Sequence, residues 1–174
     1  MLTTLKQSIH QQFGAALDML ENAINACPDD LWGERSISKS SVETPHLQFW
    51  YMVYHTLFFL DYYLSDSAEN FAPPKPFTLS ELDPAGVFPE RVYSKAEMKT
   101  YLEHGRSKLR AALNALTEEK ANQRCGFKRP EISVLEIFPY LMRHVQHHAA
   151  QLNLILRQKT DSAPGWVAKA TSDL

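Results

Sequence analysis

The stretch from Thr44 to Ser65 constrains this chain more than any other. It contains no glycine, and no proline after Pro45. Phe49, Trp50, Tyr51, Tyr54, Phe58, Phe59, Tyr62 and Tyr63 crowd into it, and aromatics by themselves favour strands. Length decides otherwise, because about twenty residues without a turn signal exceed an ordinary strand. Thr44 followed by Pro45 is a helix start: the hydroxyl can accept from an orphan backbone N–H, and proline at the first helical position gives up no bond. A helix from Thr44 to about Ser65 is therefore expected. Apolar groups lie nearly all round it, so it must be buried on several sides by other elements.

Those elements are legible as three further helices. Leu5, Ile9, Phe13, Ala16, Leu17, Leu20 and Ile24 recur at three- and four-residue steps from about Thr4 to Ala26, the period of an amphipathic helix that Pro28 ends. Ser94-Lys95-Ala96-Glu97 is a capping box opening a helix to about Leu116, and Ser133-Val134-Leu135-Glu136 opens another that ends near Gln158. Pro139 falls early in this last helix and is expected to bend it locally. Asp29 to Glu43 reads as a polar linker. Asn70 to Tyr93 holds Pro73, Pro74, Pro76, Pro84, Pro89 and Gly86 and cannot be a regular helix. A connection of that length is either functional or a crossover. The expected fold is all-α, a four-helix bundle with a long Pro-rich crossover between helices 2 and 3. Residues 1–174 fit one domain, with 161–174 as a tail and Pro164-Gly165-Trp166 placed to pack back.

Charge and cysteine usage exclude several function classes. A net charge of −2 and a pI near 6.4 give no electrostatic case for nucleic acid or an anionic membrane as partner. Arg106-Lys108-Arg110 and Arg124-Lys128-Arg129 are short, mixed with acidic neighbours, and read as solvated surface. Cys27 and Cys125 are the only cysteines; neither sits in a C-x-x-C pair, so nothing prompts a disulfide and a reducing cytoplasm is the default. Met1 to Lys6 lacks the apolar core of a signal peptide. Phe49 to Leu64 is interrupted by His55 and Asp61 and is short for a membrane span. The expectation is a soluble cytoplasmic protein.

Candidate chemistry gathers at histidines. Arg143-His144-Val145-Gln146-His147-His148 lies in the last helix, and His144 and His148, four apart, present their imidazoles one turn apart on the same side. On a wheel of ~100° per residue, His148 falls inside the arc of Leu141, Val145, Ala149, Leu152 and Ile155. His144 sits at its edge, and His147 points outward with Arg143 and Tyr140. Such a pair can give two nitrogen ligands to one cation. The plainer alternative is one hydrogen-bonded histidine and one wet one. His55, mid-way along the aromatic helix, adds a third nitrogen from a second helix, and three protein ligands with a free position is the pattern of a catalytic metal centre. A core histidine bonded to a tyrosine hydroxyl would equally satisfy His55.

Other histidines are less suited. His10 and His104 lie mid-helix without a ligand-type neighbour at metal spacing, and His46 faces away from His55. Glu43-Thr44-Pro45-His46 is the only E-x-x-H, and a carboxylate-bridged di-iron bundle needs two. Glu136 is a cap residue. Asp61 is either a carboxylate supporting a ligand or a water-facing group. No H-E-x-x-H, Gly-rich phosphate loop or G-x-S-x-G occurs.

Two segments, Trp50 to Leu64 around His55 and His144 to Leu152, make the chain resemble the DinB-like superfamily of bacterial, metal-dependent four-helix-bundle proteins from the first helix through Leu156. The resemblance implies that His55, His144 and His148 hold one divalent cation, nickel or zinc. It also implies a homodimer. After the histidine pair the family commonly carries Arg-Gly-Gln, where this chain has Ala149-Ala150-Gln151; a ligand contact made by that arginine is thus not carried over. What the resemblance implies about activity is a thiol-dependent transferase acting with a low-molecular-weight thiol, or a hydrolase, on an unassigned small-molecule substrate. The competing function is a non-catalytic, stress-related or metal-binding interaction module, favoured by the missing Arg-Gly pair and the lack of an obvious acid or base.

Overall fold

A computed structural model describes residues 1–34, 47–65, 67–127 and 131–171. It is all-helical: α1 (Leu2–Ala26), α2 (Asp29–Trp32), α3 (Phe49–Tyr63), α4 (Lys95–Ala115), α5 (Glu118–Asn122) and α6 (Val134–Thr160). The four long helices are those the periodicity identifies. Both capping boxes form as expected, with Ser94 and Ser133 accepting from the backbone N–H of Glu97 and Glu136 and each glutamate reaching back to the cap N–H. These bonds hold the Glu136 carboxyl below the usual range. No helix among the described residues is long and apolar enough to cross a membrane.

Three local expectations need correction. The expected start at Thr44-Pro45 lies outside the described residues, and α3 begins only at Phe49. Gln48 adopts extended backbone (φ −72, ψ 142) as its N-cap, and its side-chain oxygen accepts from the Trp50 indole at 2.6 Å. The polar linker is not wholly irregular either, since Asp29–Trp32 form a helical turn behind Pro28. In the tail it is Ala163 and Val167 that pack on the core, while Trp166 keeps 72% of its surface exposed.

Apolar periodicity decides which faces meet. α1 packs against α6 and α4, and α3 packs against the same two, so each long helix buries its stripe against two others. Phe13, Leu17, Leu20, Tyr54, Phe58, Leu102, Leu109, Phe138, Leu141, Val145 and Leu152 fill the space between. At Gly105 of α4 an added Cβ would come within 2.7 Å of Leu60 Cδ2, so α3 and α4 approach closely there. Side-chain pairs set the directions. Tyr63 meets Tyr140 and His55 meets His148, so α3 and α6 are antiparallel. Tyr54 lies by Tyr93 and Asp61 by His104 and Lys108, so α3 and α4 run the same way.

Two parallel neighbours require the chain to return the whole length of α3 before α4 begins. The proline-rich segment does this, walking back along α3 side chain by side chain. Phe71 packs on Tyr62 and Phe58, Phe77 on Tyr54, Phe88 on Tyr51 and Tyr93 on Trp50. Its one helical turn, Ser80–Leu82, lands beside the middle of α3. The aromatic excess of α3 thus has a structural use: the helix is covered on one side by α4 and α6 and on another by this segment.

A buried polar cluster ties α1 to α4, and it corrects the expectation of solvated surface at Arg106. Arg106 is 3% exposed and pairs with Asp18 at 2.8 Å, Glu21 at 2.9 Å and Glu103 at 3.1 Å. Asp18 also accepts from the backbone and hydroxyl of Thr171, which pins the tail to α1. Burial alone would raise the Asp18 pKa, but the Thr171 and Arg106 bonds outweigh it and hold the carboxyl below its usual range.

Candidate metal centre

His55 comes from the middle of α3, and His144 and His148 from successive turns of α6. Antiparallel packing of these helices brings the three together: one ligand atom from each lies within 4.8 Å of the others. Ring centroids are 5.3 Å apart for His55 and His144, 4.9 Å for His55 and His148, and 4.6 Å for His144 and His148. The helical wheel thus sorted the α6 histidines as the structure does. His147 is exposed, with its ring in edge contact with His148.

Hydrogen bonds indicate which nitrogen of each ring is available. His55 Nδ1 lies 3.0 Å from Glu81 Oε2, and His148 Nδ1 lies 2.7 Å from Gln151 Oε1. Both partner atoms are acceptor oxygens, an arrangement that suits the Nδ1–H tautomer of each ring, in which Nε2 is the nitrogen left to ligate. At His144 the Nε2 is buried and has no hydrogen-bond partner among the described residues. An orphaned ring nitrogen is costly in a native interior. The rings of His55 and His148 are its neighbours, with centroids 5.3 and 4.6 Å away.

Electrostatics keep the α6 pair uncharged. Burial, then the neighbouring His148 and His55 rings, push the His144 pKa down to about 3. Burial and His55 likewise lower His148 to about 4, against the opposing effect of its bond to Gln151. Neutral imidazole is the form that ligates a cation, so burial does in advance what a metal would otherwise have to do by displacing protons. Three imidazole donors fit a borderline divalent ion such as zinc or nickel, and do not suit calcium or magnesium, which prefer oxygen.

Access to the cluster is through two clefts that share Tyr140 and His144. One, of about 260 Å³, is lined by His55, Phe59, Tyr63, Tyr140 and His144. The other, about 650 Å³, runs between α1 and α6 past Gln12, Arg143, His147 and Trp166. The first wall is aromatic; the second carries a permanent cation at its rim.

Several residues fall elsewhere than expected. Asp61 neither supports a ligand nor faces water. It is 1% exposed and turned to α4, where Tyr101 donates at 3.1 Å, Lys108 at 2.5 Å, and His104 Nε2 lies 3.1 Å away. His104 therefore does have a carboxylate neighbour, from a helix the sequence could not place beside it. His10 is not among the clustered histidines. Glu43 and His46 lie outside the described residues. The residue that sequence reasoning missed is Glu81. It sits in the proline-rich segment, where no periodicity assigns a face, among Asp83 and Glu90 that look equivalent to it.

A family model described as the DinB superfamily matches residues 12–152. No curated protein and no solved structure matches the chain.

Proposed function

The chain belongs to the DinB superfamily, and from that premise we propose that it is a divalent-metal-dependent enzyme whose ion is held by His55, His144 and His148. The observation that carries this reading is that His55, His144 and His148 each offer a ligand nitrogen within 4.8 Å of the other two, while the buried Nε2 of His144 has no hydrogen-bond partner among the described residues. The helices are read as a four-helix bundle in which the proline-rich segment is the crossover, supported by the parallel course of α3 and α4. A homodimer in the cytoplasm belongs to the same reading, as the resemblance and the reduced cysteines suggest.

Bound at this site, zinc or nickel would act as a Lewis acid, lowering the pKa of a water or thiol in the position that three protein ligands leave open. The protein's own groups do the rest. Glu81 and Gln151 hold the Nδ1 protons of His55 and His148 and so aim both rings. Phe59, Tyr63 and Tyr140 narrow the approach and exclude bulk water, which strengthens every charge interaction inside. Arg143, at the rim of the larger cleft, is placed to attract an anionic substrate. The reaction is a transfer involving a low-molecular-weight thiol, or a hydrolysis, both of which begin with a nucleophile of lowered pKa.

Elemental analysis of untagged protein tests the metal. About one ion per chain is expected for a three-ligand site, with most of it lost in His55→Ala and His148→Ala. Substoichiometric metal that is the same in wild type and both variants would remove the basis for the reading. Thiol-transferase substrates run against ester and amide substrates then separate the two reaction types. Silence in both assays from a metal-loaded protein would favour the non-catalytic metal-binding function.

A further inference from the structure

Glu81 is a buried carboxylate with an unusual position. Its side chain is 6% exposed, and it is carried by a loop rather than by one of the helices that build the site. The loop is fastened where Glu81 sits: the Tyr54 hydroxyl donates to Thr78 O at 2.8 Å and lies 3.0 Å from Ser80 Oγ, and Phe77 stacks on Tyr101 at 4.2 Å. One oxygen, Oε2, accepts from His55 Nδ1. The other, Oε1, is buried without a hydrogen-bond partner among the described residues. The Tyr51 hydroxyl also hydrogen-bonds to this carboxyl group, and a cation on the far side of the His55 imidazole would complement it through the ring.

We propose that Glu81 is the positioning residue of the metal centre, and that through it the loop segment 76–83 and the metal site stabilise one another. The inference rests on the metal reading above. A ligating histidine whose second nitrogen donates to a carboxylate is fixed in tautomer and orientation and becomes a more basic ligand. The positive charge that a cation induces on the ring strengthens the same Nδ1–H···O bond in return. Coupling of this kind is reciprocal: whatever factor Glu81 adds to metal affinity, the metal adds to docking of the loop.

Zinc titration against a chromophoric chelator on the full chain, with wild type, Glu81→Gln, Glu81→Ala and His148→Ala, tests the affinity arm. Glu81→Ala is expected to weaken zinc binding by about 10- to 100-fold. Glu81→Gln should lose less, because the amide oxygen still accepts from Nδ1–H. Hydrogen exchange of peptides covering 76–83 tests the loop arm: zinc should slow exchange there in wild type. In Glu81→Ala it should not, although protection of α6 persists. The near-isosteric Glu81→Gln and the wild-type exchange data decide the matter even if Glu81→Ala fails to fold, which circular dichroism reports. A carboxylate that served only as the ion-pair partner of a protonated His55 would behave oppositely, since its removal would free the ring and tighten zinc binding. Unchanged or tighter binding in Glu81→Ala, with binding lost in His148→Ala, overturns this inference and leaves the metal reading standing. Absence of zinc binding by wild type overturns both.

Discussion

Acid should destabilise the metal-free protein through His144 and His148 before it touches most carboxylates. In the folded chain burial holds these rings near 3 and 4, against about 6.5 for an imidazole in the unfolded chain. The sign follows from proton counting. Between those values the unfolded state binds protons that the folded state refuses, so stability rises with pH across the window. The contribution is full above about 6.5 and is lost progressively as pH falls toward 4 and then 3. At about pH 5 each ring accounts for ~2 kcal/mol, and the pair for ~4 kcal/mol. His148 is the less buried of the two, and solvent screening brings the expected total nearer ~3 kcal/mol. That is a substantial share of the 5–15 kcal/mol that typically separates folded from unfolded states. Urea unfolding followed by circular dichroism in EDTA, at about pH 7.5 and about pH 5, measures it for wild type and for His144→Leu/His148→Leu. Wild type should lose ~3 kcal/mol between the two conditions, and the double variant less than ~1 kcal/mol. Asp18 and Glu97, whose carboxyls are also held low, are untouched by the double substitution and should affect both proteins alike. Equal losses in the two proteins would show that the histidines are not held neutral by burial, and the argument for a preformed neutral ligand set would fall with them.

Zinc at about a hundred times its dissociation constant should add ~2.7 kcal/mol to wild-type stability, seen as a rise of several degrees in Tm by scanning fluorimetry; no rise in wild type would contradict the site. Arg106→Ala, which leaves the buried Asp18 carboxylate without its cation, should cost about 3–5 kcal/mol. Its urea midpoint checks this, and a cost below ~1 kcal/mol would mean the network relaxes freely. Tyr54→Phe removes the donor to Thr78 O and should cost about 1 kcal/mol, with faster hydrogen exchange confined to residues near 78–81. Phe138→Ala, emptying a side chain that is 1% exposed, should destabilise by about 3–5 kcal/mol, read from the same unfolding curves.

How much of this was legible in advance varies with how local the cause is. Ser94 and Ser133 announced their helices because a cap, its third residue and the bonds between them lie within one turn. The placement of His147 away from His144 and His148 was also visible, since 3.6-residue geometry orders neighbours on one helix. The start signal at Thr44-Pro45 lies outside the described residues, and α3 itself opens at Phe49 behind Gln48, whose backbone is extended. Asp61 was the clearest failure. A carboxylate six residues beyond His55 was weighed as support for the metal site, but the close approach of α4 at Gly105 brings Tyr101, His104 and Lys108 to it instead.

By itself the sequence determined an all-helical chain, the four long helices and the three histidines able to converge, because periodicity and capping are short-range effects written in consecutive residues. Tertiary structure decided that α3 is antiparallel to α6 and parallel to α4, which sets His55 against the α6 pair and sends the proline-rich segment back along α3. It also decided that Glu81, among several similar acids in that segment, is the one pressed against His55. No local propensity distinguishes those acids; burial against a partner far away in the chain does.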